Sequence, residues 1–151
     1  MIRASVIAVV LVLLSACSSG PVKRVFPPEA RIQQVALAAN GAEVLLRVQS
    51  FSTVPSEVQA YSLAIEIAGV EAGRIDGTAA TTVLPQAAEV FPVSVRLAPE
   101  AIERARAALA NGTVLRYRLH GTITVEPTGR AYPIDYSSAL SPVPGLEGVL
   151  R

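Results

Sequence analysis

The chain has one cysteine, one histidine and no tryptophan, and aromatic residues make up only 5% of it. Its lone cysteine, Cys17, excludes an intramolecular disulfide. Its lone histidine, His120, does not supply the several convergent groups that a metal site or a catalytic triad needs. No metal or cofactor is therefore expected, and no catalytic residue stands out. An excess of one charge is also lacking, with 13 basic side chains against 12 acidic ones. A chain so balanced has no electrostatic footprint for nucleic acid. There is no tandem repeat. Val, Ile and Leu are nonetheless plentiful enough for a core, so the composition is not that of a disordered chain.

What is present begins at the N-terminus. Arg3 precedes an apolar run, Ala4–Leu14, which ends in Ser15-Ala16-Cys17 and a polar Ser18-Ser19-Gly20. A short positive region, an apolar stretch and small residues at the cut site describe a secretory signal over residues 1–16. The run is too short for a membrane span, which takes roughly 20 apolar residues. Leu14-Ser15-Ala16-Cys17 resembles the bacterial lipobox, in which the cysteine thiolate forms a thioether to a diacylglyceryl group. The resemblance makes Cys17 the lipidation site and the membrane the partner reached through that lipid, because two acyl chains suffice for stable anchoring. Ser18, rather than Asp, after the cysteine resembles the sorting signal for the outer membrane, with the domain facing the periplasm. In a host with a single membrane the same signal implies its outer face. Loss of Arg3 with the signal leaves 12 basic against 12 acidic side chains in the mature chain.

Residues 17–28 read as a lipidated tether. Ser-Ser-Gly-Pro at 18–21 and Pro27-Pro28 cannot join a helix or a central strand. This spacer is expected to be solvated, with Lys23 and Arg24 close to the membrane surface.

From Ala30 the apolar pattern has period two. Strands are expected over Arg31–Ala38 (with Val35 off the alternation), Ala42–Phe51, Gln59–Ala68, Val70–Gly77, Glu89–Leu97, Thr113–Val125 and Arg130–Ser138. Asn40-Gly41 signals a hairpin. Thr78–Ala88 reads as a loose small-residue stretch, and Ser141–Arg151, rich in Pro and Gly, as a loosely ordered tail. Pro99–Ala110 changes to a helical period, with Ile102, Ala105 and Leu109 on one face and Asn111-Gly112 as a left-handed stop. The sum is a mainly β domain over residues 29–140. It is an antiparallel β-sandwich of about seven strands, of the immunoglobulin or fibronectin kind, with one short helix before the last hairpin.

The residues that could meet a ligand are few. Arg116, Arg118 and His120 alternate on the outward face of their strand, which reads as a solvated face, with a basic stripe that could meet an anionic lipid or a partner as the alternative. Glu100 and Glu103 share a helix face, but the positive end of the helix and neighbouring arginines account for them. Gly69, Gly73 and Gly77 flank a strand turn, the wrong context for a phosphate loop. Tyr61, Tyr117, Tyr132 and Tyr136 read as core or strand-edge packing, with hydroxyls that reach a rim.

Seven strands with a helix before the last hairpin resemble the late embryogenesis abundant type 2 family, also called the water stress and hypersensitive response (WHy) domain. The segments that carry the resemblance are Val44–Val48 followed by Ser50-Phe51-Ser52-Thr53-Val54-Pro55, then Tyr61–Gly69 and the Leu115–Val125 strand. The family's Asn-Pro-type turn after the second strand is replaced here by serines, with Pro55 coming late. The resemblance implies a folded, non-enzymatic sandwich linked to desiccation and stress tolerance. An alternative is a binding module that holds a lipid or peptide of the envelope in a groove between the sheets.

Overall fold

A computed structural model describes residues 22–39 and 41–151. The signal segment, Cys17 and Asn40 lie outside the described residues. The strands are β1 (Glu29–Leu37), β2 (Ala42–Gln49), β3 (Ser56–Ile67), β4 (Val70–Val83), β5 (Ala88–Val95), β6 (Leu115–Glu126), β7 (Arg130–Leu140) and β8 (Val149–Leu150). Helix α1 (Pro99–Asn111) lies between β5 and β6. Two four-stranded sheets form, in the orders β5-β2-β1-β8 and β4-β3-β6-β7, and every pairing is antiparallel. The expected sandwich, with its helix before the last long hairpin, is what folds.

Alternation explains the layers. Val44, Leu46 and Val48 of β2 face Leu63, Ile65 and Ile67 of β3 and Leu115, Leu119, Ile123 and Val125 of β6 within one buried cluster. Burying a Val, Leu or Ile side chain is worth about 1.5–3 kcal/mol, so this layer is the main stabilising contribution. The off-beat Val35 has a simple cause. The pairing of β1 with β2 shifts register between Ile32 and Gln34, and this bulge turns both Ile32 and Val35 inward. Prolines fall where a missing N–H does least harm. Pro92 lies in β5 and Pro133 in β7, each an edge strand of its sheet.

Helix α1 starts at Pro99 and ends at Gly112, which adopts the left-handed conformation (φ 65°) and donates to the carbonyl of Leu109. Its buried face is Ala101, Ile102, Ala105 and Ala108, with Leu109 only partly covered. Small side chains let the helix lie close against the ends of β4 and β6.

Two expectations are corrected. The stretch Thr78–Ala88 is not loose over its first half, because β4 continues through Val83. Thr78, Thr81 and Thr82 pair with Ala60, Val58 and Glu57, and Val83 is buried. β-Branched threonines suit a strand even though the small residues around them hide the alternation. The tail is not loose either. Leu150 is fully buried and pairs with Val35, and Leu37 N–H donates to Gly148 at 2.9 Å. Arg151 exchanges two backbone bonds with Ser141, and its guanidinium donates to Gln34 at 2.8 Å. Gly145 and Gly148 supply the positive φ angles (80° and 72°) that bring the chain back to β1.

The tail therefore carries stability. Leu150→Ala should cost about 2–5 kcal/mol in urea unfolding, the range for a buried leucine. A loss below about 0.5 kcal/mol, as at ordinary surface positions, would restore the loose tail.

Candidate functional site

Three features place chemistry-bearing groups together: the connection from β2 to β3, the inward face of β6 and the outward face of β6.

The connection holds three buried serines, Ser50, Ser52 and Ser56. A buried hydroxyl destabilises unless it is hydrogen-bonded. Ser50 Oγ accepts the N–H of Ser52 at 3.2 Å and lies 3.4 Å from Ser56 Oγ. Ser52 Oγ accepts the N–H of Phe26 at 3.1 Å and returns a long bond to the Phe26 carbonyl. Thr53 continues the pattern: its Oγ1 accepts from Arg24 N–H at 2.8 Å and donates to the Val22 carbonyl at 2.9 Å. Thr53 N–H also donates to the Arg24 carbonyl at 3.0 Å. Residues 22–26 are thus stitched along Ser52-Thr53, and Pro28 is buried. The tether was expected to be a solvated spacer. Over its described part it is bonded to the domain, through hydroxyls whose partners lie 26 to 31 residues away in sequence.

On the inward face, Tyr117 of β6 reaches across to β1. Ile32 N–H donates to its hydroxyl at 3.2 Å, and the hydroxyl donates to the Ile32 carbonyl at the same distance. The bond is made beside the bulge, where the ladder of β1 is irregular. Burial pushes the Tyr117 hydroxyl up to about 12, with the hydrogen bond from the Ile32 N–H pulling the other way. This tyrosine is a tie between the sheets and not part of a rim. Tyr61 does sit at the margin, half-buried and tilted against Phe91 with ring centres 5.9 Å apart. Around Tyr117, Ile32, Val35, Leu115 and Leu140 the residual space between the sheets is ≈ 10 Å³. That is about the room of one water, far below a ligand cavity.

On the outward face, Arg116, Arg118 and His120 alternate as expected, but register brings acids beside them. β3 sets Glu66 opposite Arg118, and β7 sets Asp135 opposite His120. Arg118 grips Asp135 with two bonds of 2.8 Å and lies 3.8 Å from Glu66. That grip holds the Asp135 carboxyl below the usual carboxylate range. His120 Nδ1 is 3.6 Å from Glu66 and makes no hydrogen bond among the described residues. The stripe is therefore a mixed-charge face, and of its two arginines only Arg116 lacks an ion pair among the described residues. An open groove of ≈ 500 Å³ runs beside it, floored by Ala68, Val114, Tyr117 and Ala139. Glu100 pairs with Arg104 at 2.7 Å on the surface of α1, an ordinary helix ion pair. Among the described residues no three His, Cys, Asp or Glu side chains converge, and no helix is long and apolar enough to cross a membrane.

No family model matches the chain, and no curated protein matches its sequence. Several solved structures are similar to it. The solution structure of AT1g01470 from Arabidopsis thaliana is 13% identical with a TM-score of 0.50, over 85% of either chain. At2g46140.1, a candidate late embryogenesis abundant protein, is 17% identical with a TM-score of 0.47, over 94% of this chain and 87% of that one. A protein from Archaeoglobus fulgidus is 19% identical with a TM-score of 0.46, over 82% of this chain and 99% of that one.

The Tyr117 tie has a signature in alkali. Between pH 10 and about 12 the unfolded chain loses the tyrosine proton while the folded chain keeps it, so stability falls as pH rises through that window. The fall should be on the order of 2–3 kcal/mol. Tyr117→Phe should cost about 1–3 kcal/mol at neutral pH, because Ile32 loses its partner, and should make the alkaline fall shallower. Urea midpoints of both proteins across the window check this. Parallel curves would remove Tyr117 from the role.

Proposed function

We propose that this chain is a non-enzymatic envelope lipoprotein, anchored through lipid on Cys17, whose sandwich of the late embryogenesis abundant type 2 kind protects envelope components during desiccation or osmotic stress. The anchoring part rests on Leu14-Ser15-Ala16-Cys17 directly after a short apolar run. By the same motif, with Ser18 next, the protein resides in the outer membrane facing the periplasm, or on the outer face of a single membrane.

The observation that carries the protective part is the filled interior. A groove between the sheets was the natural place for a lipid or peptide, and ≈ 10 Å³ accommodates neither. The interior therefore favours a domain that works through its surface over one that carries a ligand inside. The family resemblance of Val44–Pro55, Tyr61–Gly69 and Leu115–Val125 supports the same reading.

Two measurements test the two halves. Cys17→Ser should move the protein from the membrane fraction to the soluble one or stall its processing, and unchanged fractionation with normal signal cleavage would refute the anchor. A strain lacking the protein should grow normally when hydrated and lose viability on drying or at high osmolarity. Survival equal to the parent's would end the protective role.

A further inference from the structure

The two ends of the sandwich differ. One end carries the β2–β3 connection, the β4–β5 loop, the turn from β6 to β7 and the docked segment 22–28. The other carries α1 and the β3–β4 turn. Four large apolar side chains are exposed on the first end: Val22 (61%), Phe26 (42%), Phe51 (44%) and Leu84 (57%). Val114 and Leu146 lie toward the opposite end, and Val90 is on the outer face of β5.

These four are held in place by the backbone. Ser50 N–H donates to the Ala87 carbonyl at 2.8 Å, and Ala87 N–H donates to the Leu84 carbonyl at 3.1 Å. Phe26 N–H is bonded to Ser52 Oγ. Phe51 thus projects between two neighbours that are each tied to a segment carrying another exposed apolar residue. Nothing in the described structure covers them. Lys23 and Arg24 are exposed on the same end. Lys23 borders a groove of ≈ 630 Å³ that Val25, Val54, Pro55 and Pro127 line, with Glu57 and Glu126 its acidic members.

Chain length says what meets this end. Val22 lies only five positions after Cys17. Fully extended, that stretch reaches at most about 18 Å. The 14-residue strand β4 runs the length of the domain, and at about 3.3 Å per residue it spans roughly 45 Å. A lipid on Cys17 therefore keeps this end at the bilayer and leaves the helix end out of reach.

We infer that Val22, Phe26, Phe51 and Leu84, with Lys23 and Arg24 beside them, form a docking surface for the phospholipid bilayer, so that the sandwich rests on the membrane by this end. Exposed apolar side chains with flanking cations suit the boundary between headgroups and acyl chains. The inference rests on lipidation at Cys17 and adds a second, protein-borne contact to it.

The absence of tryptophan makes a direct test available. Leu84→Trp, Phe51→Trp and, at the far end, Val114→Trp each place a single tryptophan at an exposed position in the full lipidated chain. Each variant is reconstituted into phosphatidylcholine–phosphatidylglycerol vesicles with and without brominated acyl chains, and vesicle flotation is read in parallel. The expected result is a blue shift and bromine quenching for L84W and F51W, and neither for V114W. Protein that floats with the vesicles while L84W and F51W behave like V114W overturns the docking surface and leaves the anchor standing. Protein that does not float overturns the anchor and the docking surface together.

Discussion

The span from Ser50 to Pro55 carries the chain from one sheet to the other, and the sandwich depends on how its buried hydroxyls are satisfied. A crossover at the end of a two-layer core brings polar backbone into a place where water is scarce. Here Ser50, Ser52 and Ser56 take up bonds that the strands cannot offer. Two of those bonds run outward to Phe26. The same short span therefore closes the core, fixes the direction in which the N-terminal segment leaves and sets Phe51 outward between two fixed neighbours. An apolar residue in place of Ser52 would fill space, but it would leave the Phe26 N–H without an acceptor, and the segment would hang on the Thr53 bonds alone.

Inside the sandwich, close approach is bought with small residues and one tyrosine. Gly121 sits at an inward position of β6 with φ 147°, and a Cβ there would run into the Ser62 carbonyl of β3. Gly73 meets the Arg96 carbonyl in the same way, where β4 passes the end of β5. The missing Cβ atoms leave room for these close approaches, while Tyr117 ties β6 to the bulge of β1. Opening a channel between the sheets beside Tyr117 would break its bonds to Ile32 and expose leucines and valines.

How much of this was legible in the sequence follows from how local each signal is. β2, β3 and β6 alternate between apolar and polar residues over eight or more positions, and their faces were readable because side-chain period is a property of the strand itself. The helix was readable from Pro99 and Gly112. The second half of β4 was not, since Thr, Ala and Gly carry no alternation and the strand is held by its neighbour's register. β8 was hidden in a Pro- and Gly-rich run, because what orders it is Leu150 against Val35, more than a hundred residues away. The candidate surface failed in the same direction. Arg116, Arg118 and His120 formed a basic stripe along one strand, and only the pairing of β6 with β3 and β7 brings Glu66 and Asp135 beside them. Ser52 and Thr53 were visible as a serine-rich turn, but nothing local tells that their hydroxyls bind residues 22–26. Cys17 was legible as a motif, and it lies outside the described residues.

The charge and apolar patterns of the surface then separate along the long axis of the domain. On the outer face of the second sheet, ion pairs such as Arg118 with Asp135 and Arg74 with Asp76 are solvent-exposed and mutually neutralising. Exposed pairs of this kind add little to stability and attract no strongly charged partner over distance. The end that carries the docked segment is different, because its exposed Phe and Leu side chains gain nothing from water and are not covered by the described residues. A freely dissolved domain would be better served by polar residues there. On the proposed anchoring at Cys17, the same side chains would lie within reach of a surface that can cover them, and the serines of the crossover would keep that end turned toward it. On that proposal the tether would be more than a leash: because residues 22–26 are bonded to the domain, attachment at Cys17 would also set orientation.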